Sequence, residues 1–113
     1  MAVTVEASGT QTATLDTEHT LATEAEAKVY VLIVDTGAMV NGDITVLRVK
    51  FPVLSGGTSR LVFSATYAHV QADPIKTSIP FCNPGLDATG GTFTLEQTDG
   101  TGRAYPWALV SIG

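Results

Sequence analysis

Two histidines, one cysteine and several serines are the side chains of this sequence that could act as nucleophiles or bases. Cys82 with His69 or His19 would provide a thiol and its base. Ser64 with a histidine and an aspartate would provide a hydroxyl nucleophile. Neither combination lies in a recognisable local motif. We therefore predict that the protein is not an enzyme. His69 is expected to be a partly buried side chain at a strand end, and Cys82 a small packed hydrophobic residue.

The sequence also lacks the patterns that hold metals, nucleotides or other cofactors. Two histidines and one cysteine are too few and too scattered for a zinc site. Residues 98–101 lack the series of oxygen ligands of a calcium loop. The glycines in residues 55–60 are not followed by the Lys-Ser/Thr element of a phosphate-binding loop, so we interpret them as a turn. No metal and no cofactor are predicted.

The elements that would position these side chains are strands, and the longest pattern runs from residue 43 to residue 70. Both arms of this segment carry β-branched and aromatic residues at period-two spacing, and Gly56 and Gly57 supply the freedom that a tight reversal requires. A simple turn would mix the polar and apolar faces. One extra residue near Pro52, which cannot donate a ladder hydrogen bond, removes the mismatch. We therefore predict a hairpin with a bulge near Pro52.

The predicted bulge gives the hairpin two different faces, because a shift of one residue moves every side chain to the other side. One face carries the apolar residues Leu47, Val49, Phe51, Leu61, Phe63, Ala65 and Tyr67. The other face carries Arg48, Lys50 and Arg60, half of the six basic residues. We call these three residues the basic stripe and predict that it is a contact surface.

Shorter strands are predicted before and after this hairpin. Residues 28–35 are predicted to form a strand that is apolar on both faces from Val29 to Val34, as expected of a central strand that is covered on both sides. Residues 75–81 indicate an edge strand, because they contain Pro80.

The last two strands are predicted to form a second hairpin. Residues 92–98 and 103–112 are joined around Asp99-Gly100, a strong hairpin signal, and this would place Glu96 opposite Arg103. The fold class is therefore all-β: a single-domain antiparallel β-sandwich or barrel-like fold with an extended N-terminal arm.

Charge sets the first 27 residues apart, because this segment contains acidic residues and no Lys or Arg. We divide the chain into a Thr-rich acidic arm, residues 1–27, and a β domain, residues 28–113. The arm is either a solvated edge or a segment that orders against a neighbouring subunit. Its acidic residues are candidate interface residues: Glu6, Asp16, Glu18, Glu24 and Glu26.

Length and composition narrow the possible roles. A chain of 113 residues is expected to form one domain. A net charge of −5 argues against nucleic-acid binding, which normally needs a basic surface. The single cysteine excludes an intrachain disulfide and indicates a reducing cytosol. The longest apolar run is far shorter than the roughly 20 residues of a membrane span, so no membrane association is predicted.

Six short runs within residues 30–107 form a recognisable pattern. They are YVLIVD (30–35), GD (42–43), LRVK (47–50), LSGGTSR (54–60), ATY (65–67) and LEQTDGTGRAYPW (95–107). This pattern resembles one that recurs in small proteins of tailed bacteriophages. The resemblance implies a virion component and carries no catalytic residues. It does not indicate which part of the particle the protein occupies.

Size and composition then favour one role within a virion. The chain is similar to capsid decoration, or cement, proteins in being small, acidic and rich in β-structure; such proteins are often trimers that dock on an assembled shell. We expect a protein that bridges capsomers, with the acidic arm on the shell or on the basic stripe of the next subunit. The alternatives are a neck or tail protein, such as a stopper, tube or fibre-attachment module, and a small host-directed binding module.

The expected partners follow from this role. They are the major capsid protein or other virion proteins, together with further copies of the chain in a homo-oligomer for which a trimer is favoured. The expected location is the virion, with the capsid surface favoured, after assembly in the host bacterial cytoplasm.

Overall fold

The computed structural model describes residues 2–54, 57–83 and 90–112, and it contains nine β-strands within them. They are β1 (Val3–Thr12), β2 (His19–Glu24), β3 (Val29–Asp35), β4 (Ile44–Phe51), β5 (Arg60–Ala68), β6 (Ile75–Thr77), β7 (Phe81–Cys82), β8 (Gly91–Asp99) and β9 (Ala104–Ile112). In these ranges there is no helix long and apolar enough to cross a membrane.

The strands form two antiparallel sheets that pack together as a β-sandwich, which confirms the predicted fold class. One sheet, here the β1 sheet, has the order β1-β9-β3-β6, with β7 also paired to β3. The other, the β2 sheet, has the order β2-β8-β4-β5. The chain passes from one sheet to the other at nearly every connection. If β6 and β7 are counted as one position, this order is that of an eight-stranded jelly roll.

The core lies between the two sheets and follows from alternation along the strands. In β3, Tyr30, Leu32 and Val34 are fully buried, whereas the residues between them are half-buried. Burial of each large apolar side chain stabilises the fold by roughly 1.5–3 kcal/mol. Strand β3 is central, as predicted, but only one of its faces is fully buried, because the other is the outer face of the sandwich.

The predicted hairpin of residues 43–70 is present, since β4 pairs with β5. Its bulge is not at Pro52. The register shifts between Val49, which faces Phe63, and Lys50, which faces Leu61, so Val62 is the extra residue. The bulge therefore lies on β5, and Leu61 leaves the apolar face. The predicted turn residues 55 and 56 lie outside the described residues.

The predicted second hairpin is wrong, because its two strands lie in different sheets. Strand β8 pairs with β2 and β4, and β9 pairs with β1 and β3. Glu96 is consequently opposite Val46 rather than opposite Arg103. Each strand gains two neighbours in this way, which a two-stranded hairpin could not provide.

The predicted edge strand of residues 75–81 is divided into β6 and β7, both paired with β3. Between them, the backbone N–H of Ser78 donates to the carbonyl oxygen of Leu32 at 2.8 Å. The Ser78 hydroxyl oxygen accepts the Leu32 N–H at 2.9 Å. A side chain thus replaces a ladder acceptor where the edge strand is interrupted.

The acidic segment of residues 1–27 supplies strands to both sheets. Strand β1 runs antiparallel to β9 at the edge of the β1 sheet, and β2 runs antiparallel to β8 at the edge of the β2 sheet. In the single chain this segment is therefore paired with β8 and β9.

Candidate protein interface

Four charged side chains meet on the outer face of the β2 sheet. Alternation along β4 turns Arg48 and Lys50 outward. Arg48 Nη1 lies 2.7 Å from Glu96 Oε1 and 3.5 Å from Glu18 Oε2. Lys50 Nζ lies 3.0 Å from the same oxygen of Glu18. We call these four residues the outer-face cluster.

Glu18 is the centre of the outer-face cluster. Thr94 Oγ1 donates a hydrogen bond of 2.6 Å to Glu18 Oε2. This bond contributes most to lowering the pKa of Glu18, and Lys50 and Arg48 lower the pKa further against the opposing effect of burial. The sequence predicted that the acidic arm would lie on the shell or on the basic stripe of the next subunit. The structure shows that Glu18 makes this contact within one chain.

A second group of charges surrounds Lys28 on the β1 sheet. Lys28 Nζ lies 2.9 Å from Glu6 Oε1 and 3.0 Å from Glu26 Oε2. Ser111 Oγ donates a hydrogen bond of 2.5 Å to Glu6 Oε1. The pKa of Glu6 is lowered first by Ser111 and then by Lys28. The pKa of Lys28 is raised by Glu6 and Glu26.

The other candidate interface residues make no ion pair with these two groups among the described residues. Asp16 is an exposed turn residue with φ of 61°. Glu24 is half-buried at the end of β2, and its pKa is raised by burial and by the charges of Glu6 and Glu26. Arg60 is exposed and opposite Phe51, out of phase with Arg48 and Lys50, and it makes no ion pair within the described ranges. Of the basic stripe, Arg48 and Lys50 therefore form ion pairs within the chain. Arg60 has no ion-pair partner among the described residues.

The connection between β8 and β9 contains the TDGTGR part of the motif and is held by a buried amide. Gln97 is fully buried, and its Nε2 donates to the carbonyl oxygens of Asp99 at 3.0 Å and Thr101 at 2.7 Å. Its Oε1 accepts the Arg103 N–H at 3.1 Å and the Tyr105 hydroxyl at 2.9 Å. Gln97 thus uses both ends of its amide to shape the crossing between the sheets.

A buried carboxylate completes this connection. Asp43 Oδ2 lies 2.8 Å from Arg103 Nε and accepts the Val40 N–H at 3.0 Å. Asp43 Oδ1 accepts the Thr101 N–H at 3.3 Å. Gly100 has φ of 88°, and a Cβ at this position would collide with the Asp43 carboxylate, which explains the glycine. We call Asp43, Gln97, Arg103 and Tyr105 the corner network. The motif therefore has a structural role here.

The candidate nucleophiles and bases lie on different elements. Cys82 is exposed on β7 in the β1 sheet, not packed as predicted, because alternation turns its neighbour Phe81 toward the core instead. Ser64 is exposed on β5 of the β2 sheet. His69 is exposed as well, not partly buried, because the chain turns there with φ of 67°. His19 Nε2 accepts the Thr14 N–H at 3.0 Å.

The side chains that could bind a metal ion do not form a cluster in the part of the chain that the structure describes. Across residues 2–54, 57–83 and 90–112, no three His, Cys, Asp or Glu side chains are placed so that they could hold a metal ion.

Four exposed apolar side chains in β5 and in the chain before it were not anticipated from the sequence. The exposed fractions are 76% for Val53, 72% for Leu54, 53% for Leu61 and 40% for Val62. The sequence pattern had assigned Leu61 to the core face. The sequence carried no signal that would have corrected this assignment, because a pattern with the extra residue on either arm of the hairpin is equally regular. Only the structure places the bulge at Val62.

Acidification is expected to destabilise the fold through Glu6 and Glu18. Both pKa values are lower in the folded chain than the ordinary value of 4.5, so the unfolded chain takes up protons first. Their contribution is therefore present above about pH 5 and is lost as the pH falls through the folded pKa values. Glu24, with a raised pKa, opposes the trend.

Urea unfolding of the wild type and of Glu18→Gln between about pH 7 and pH 3 measures this effect. The variant is expected to lose less stability on acidification than the wild type. Asp73→Asn, at an exposed site, is the control and should keep the wild-type pH dependence. An equal pH dependence in Glu18→Gln and the wild type would contradict the assignment to Glu18.

Comparison with known proteins gives a structural likeness and no sequence family. No protein-family model matches the sequence, and comparison with curated proteins gives no match. Among solved structures, the chain is similar to a chain in the structure of infectious bursal disease virus Gx strain, with a TM-score of 0.51 and 12% sequence identity. The match covers 98% of this chain and 32% of the virus chain, so this chain spans about a third of that chain's length. At this identity the likeness shows a shared fold.

Proposed function

We propose that this protein is a structural component of a virion. The observation that carries the proposal is the structural likeness to a chain of a virus structure over 98% of the present chain. The jelly-roll strand order supports it, because viral capsid domains are among the proteins that use this fold. A fold alone does not define a function, and the resemblance of the sequence to small proteins of tailed bacteriophages provides separate support.

Within the virion, we assign the protein to the outside of the capsid, as a decoration protein of a tailed bacteriophage. In this role many copies bind the assembled shell and bridge neighbouring capsomers. Each contact can be modest, because multivalent attachment multiplies the total affinity. The partners are then the major capsid protein and further copies of this chain.

Arg60 is the best test of an electrostatic contribution to shell binding. Arg48 and Lys50 already pair with Glu18, so reversing either charge would also disturb the fold. Arg60 is exposed and has no such partner among the described residues. Arg60→Glu is therefore expected to leave the melting temperature unchanged and to weaken binding to shells about 3- to 10-fold at low salt, with a smaller effect at high salt.

Cosedimentation of purified protein with shells that lack it measures this binding at two salt concentrations. Thr10→Glu provides the control, because it adds a negative charge at an exposed position of β1, in the other sheet. Equal binding of the Arg60→Glu variant and the wild type at low salt would remove Arg60 from the contact.

Quantitative mass spectrometry of gradient-purified phage particles tests the assignment itself. A decoration protein is expected in copy numbers comparable with those of the major capsid protein, and in heads separated from tails. A few copies per particle, recovered with tails, would instead indicate a neck or tail protein. Absence from purified particles would contradict the virion assignment and favour a host-directed binding module.

A further inference from the structure

Strand β5 forms an open edge of the sandwich. Among the described strands it pairs only with β4, and it is the last strand of the β2 sheet. The edge of the other sheet lies close by, because Lys76 Nζ on β6 is 5.1 Å from the centroid of the Tyr67 ring on β5. Strand β5 is nine residues long, and no described strand pairs with its outer side.

The register identifies which backbone groups of β5 face outward. The His69 N–H donates to the carbonyl oxygen of Asp43 at 2.8 Å, so these two residues form a hydrogen-bonded pair. In an antiparallel ladder such pairs occur at every second residue. Residues 63, 65 and 67 therefore bond to β4. Ser64 and Thr66 direct their N–H and C=O groups away from β4.

The neighbouring loop provides separate support for this orientation. The carbonyl oxygen of Ala68, which belongs to the same outward series, accepts a hydrogen bond of 2.7 Å from Gln71 Nε2. This side chain covers one end of the edge. Ser64 and Thr66, in the middle of the edge, are exposed, and no hydrogen bond from a side chain covers their backbone groups within the described residues.

The sequence of β5 lacks the features that normally protect an edge strand. Residues 61–68 contain no charged residue and no proline, and Leu61 and Val62 are exposed. The β1 edge differs, because Glu6 lies at an irregularity between Val5 and Ala7. A strand as long and as weakly charged as β5 is expected to be covered in the working form of the protein.

We propose that β5 pairs antiparallel with β5 of a second copy of this chain, around a two-fold axis at Ala65. In this register Ser64 lies opposite Thr66 of the second copy, and Thr66 opposite the second copy's Ser64. The outward N–H and C=O groups of both residues then form two hydrogen-bonded pairs. The two β2 sheets become one continuous sheet of eight strands.

The side chains of β5 are complementary in this register. Phe63 lies opposite Tyr67 of the second copy on the core-facing side, and both residues are only half-buried in the single chain. Aromatic pairs of this kind stabilise adjacent strands. Arg60 of each copy lies at opposite ends of the pair, so the two positive charges stay apart. A parallel arrangement would bring them together, which disfavours it.

This pairing is independent of the proposed virion role, since it requires only a second copy of the chain. It also specifies a two-fold contact, in place of the trimer expected from size and composition.

Sedimentation equilibrium of the purified chain and its variants tests the proposal. The wild type is expected to sediment as a dimer, with twice the chain mass of 11.8 kDa. Ser64→Lys with Thr66→Lys places like charges opposite each other twice and is expected to weaken the dimer about 10-fold or more. Ser64→Glu with Thr66→Lys places opposite charges there and is expected to keep the dimer. Ser8→Lys with Thr10→Lys, on the exposed part of β1, is the matched control and should remain dimeric.

Circular dichroism establishes that each variant is folded. Ser64 lies opposite Arg48, so a lysine at position 64 places two positive charges side by side within one chain. The double-lysine chain is therefore the variant with the greatest risk of misfolding. Thr66→Pro provides a second variant: it removes one outward N–H without adding charge and is expected to weaken the dimer as well. A monomeric or trimeric wild type would overturn the proposal. So would a folded double-lysine or Thr66→Pro chain that dimerises like the wild type, or dissociation caused by the β1 control. None of these results would affect the mass-spectrometric test of virion location.

Discussion

Replacement of Asp43 with alanine is expected to lower the free energy of unfolding by about 3 kcal/mol. Asp43 is 1% exposed, and its carboxylate lies 2.8 Å from Arg103 Nε. The substitution leaves the guanidinium and the N–H groups of Val40 and Thr101 without their acceptor. Burial raises the pKa of Asp43, but the Arg103 and backbone hydrogen bonds outweigh it, so the pKa is lowered overall. The folded state therefore favours the ionised carboxylate.

Urea unfolding at neutral pH measures this loss. Asp73→Ala, in an exposed loop, is the matched control and should change the free energy of unfolding by less than about 0.5 kcal/mol. If Asp43→Ala and Asp73→Ala had equal effects, the corner network would not be a major source of stability.

Replacement of Gln97 with leucine is expected to cost about 3 kcal/mol as well, although leucine is similar in size and more apolar. The amide of Gln97 serves two carbonyl oxygens, one backbone N–H and the Tyr105 hydroxyl, all near the connection between β8 and β9. Leucine cannot bond to any of them, and unpaired buried polar groups are costly.

Tyr105→Phe is the milder variant with which the stability of Gln97→Leu is compared. It removes the hydroxyl that donates to Gln97 and lies 2.7 Å from Thr45 Oγ1. Its expected cost is about 1 kcal/mol, because the other bonds of Gln97 remain. A leucine variant as stable as the phenylalanine variant would show that the amide contributes little. Thermal or urea unfolding of both variants, under the same conditions, makes the comparison.

The parts of the fold that the sequence predicted are those governed by local periodicity. The alternation in residues 43–70 identified β4 and β5 as partners, and the apolar run of residues 28–35 identified the central strand β3. Both patterns depend only on neighbouring side chains along one strand.

The connection between β8 and β9 shows what periodicity cannot predict. Asp99-Gly100 is as suitable for a tight hairpin as for a crossing between two sheets, and nothing local distinguishes them. The deciding contacts come from Gln97 and from Asp43, which lies more than fifty residues earlier in the chain. Buried polar partners at such sequence separation become visible only in the folded structure.

The sequence predicted complementary charges on the acidic arm and the basic stripe, but not how these side chains are arranged. The acidic arm and the basic stripe do have complementary charges, and Glu18 does contact Arg48 and Lys50. The sequence could not show that β2 belongs to the same sheet as β4, one strand away across β8. Once that placement is known, the charges of Glu18, Arg48 and Lys50 are satisfied within the chain. The apolar edge at β5 then becomes the more open surface.

The proposed role as a decoration protein of a tailed bacteriophage is tested most directly by reconstruction of the intact particle to a resolution that separates β-strands. We predict density for this jelly roll on the outside of the shell, repeated across capsomer junctions, and its loss from particles that lack the gene. A shell and tail completely accounted for by other proteins, with no density for this chain, would contradict the assignment.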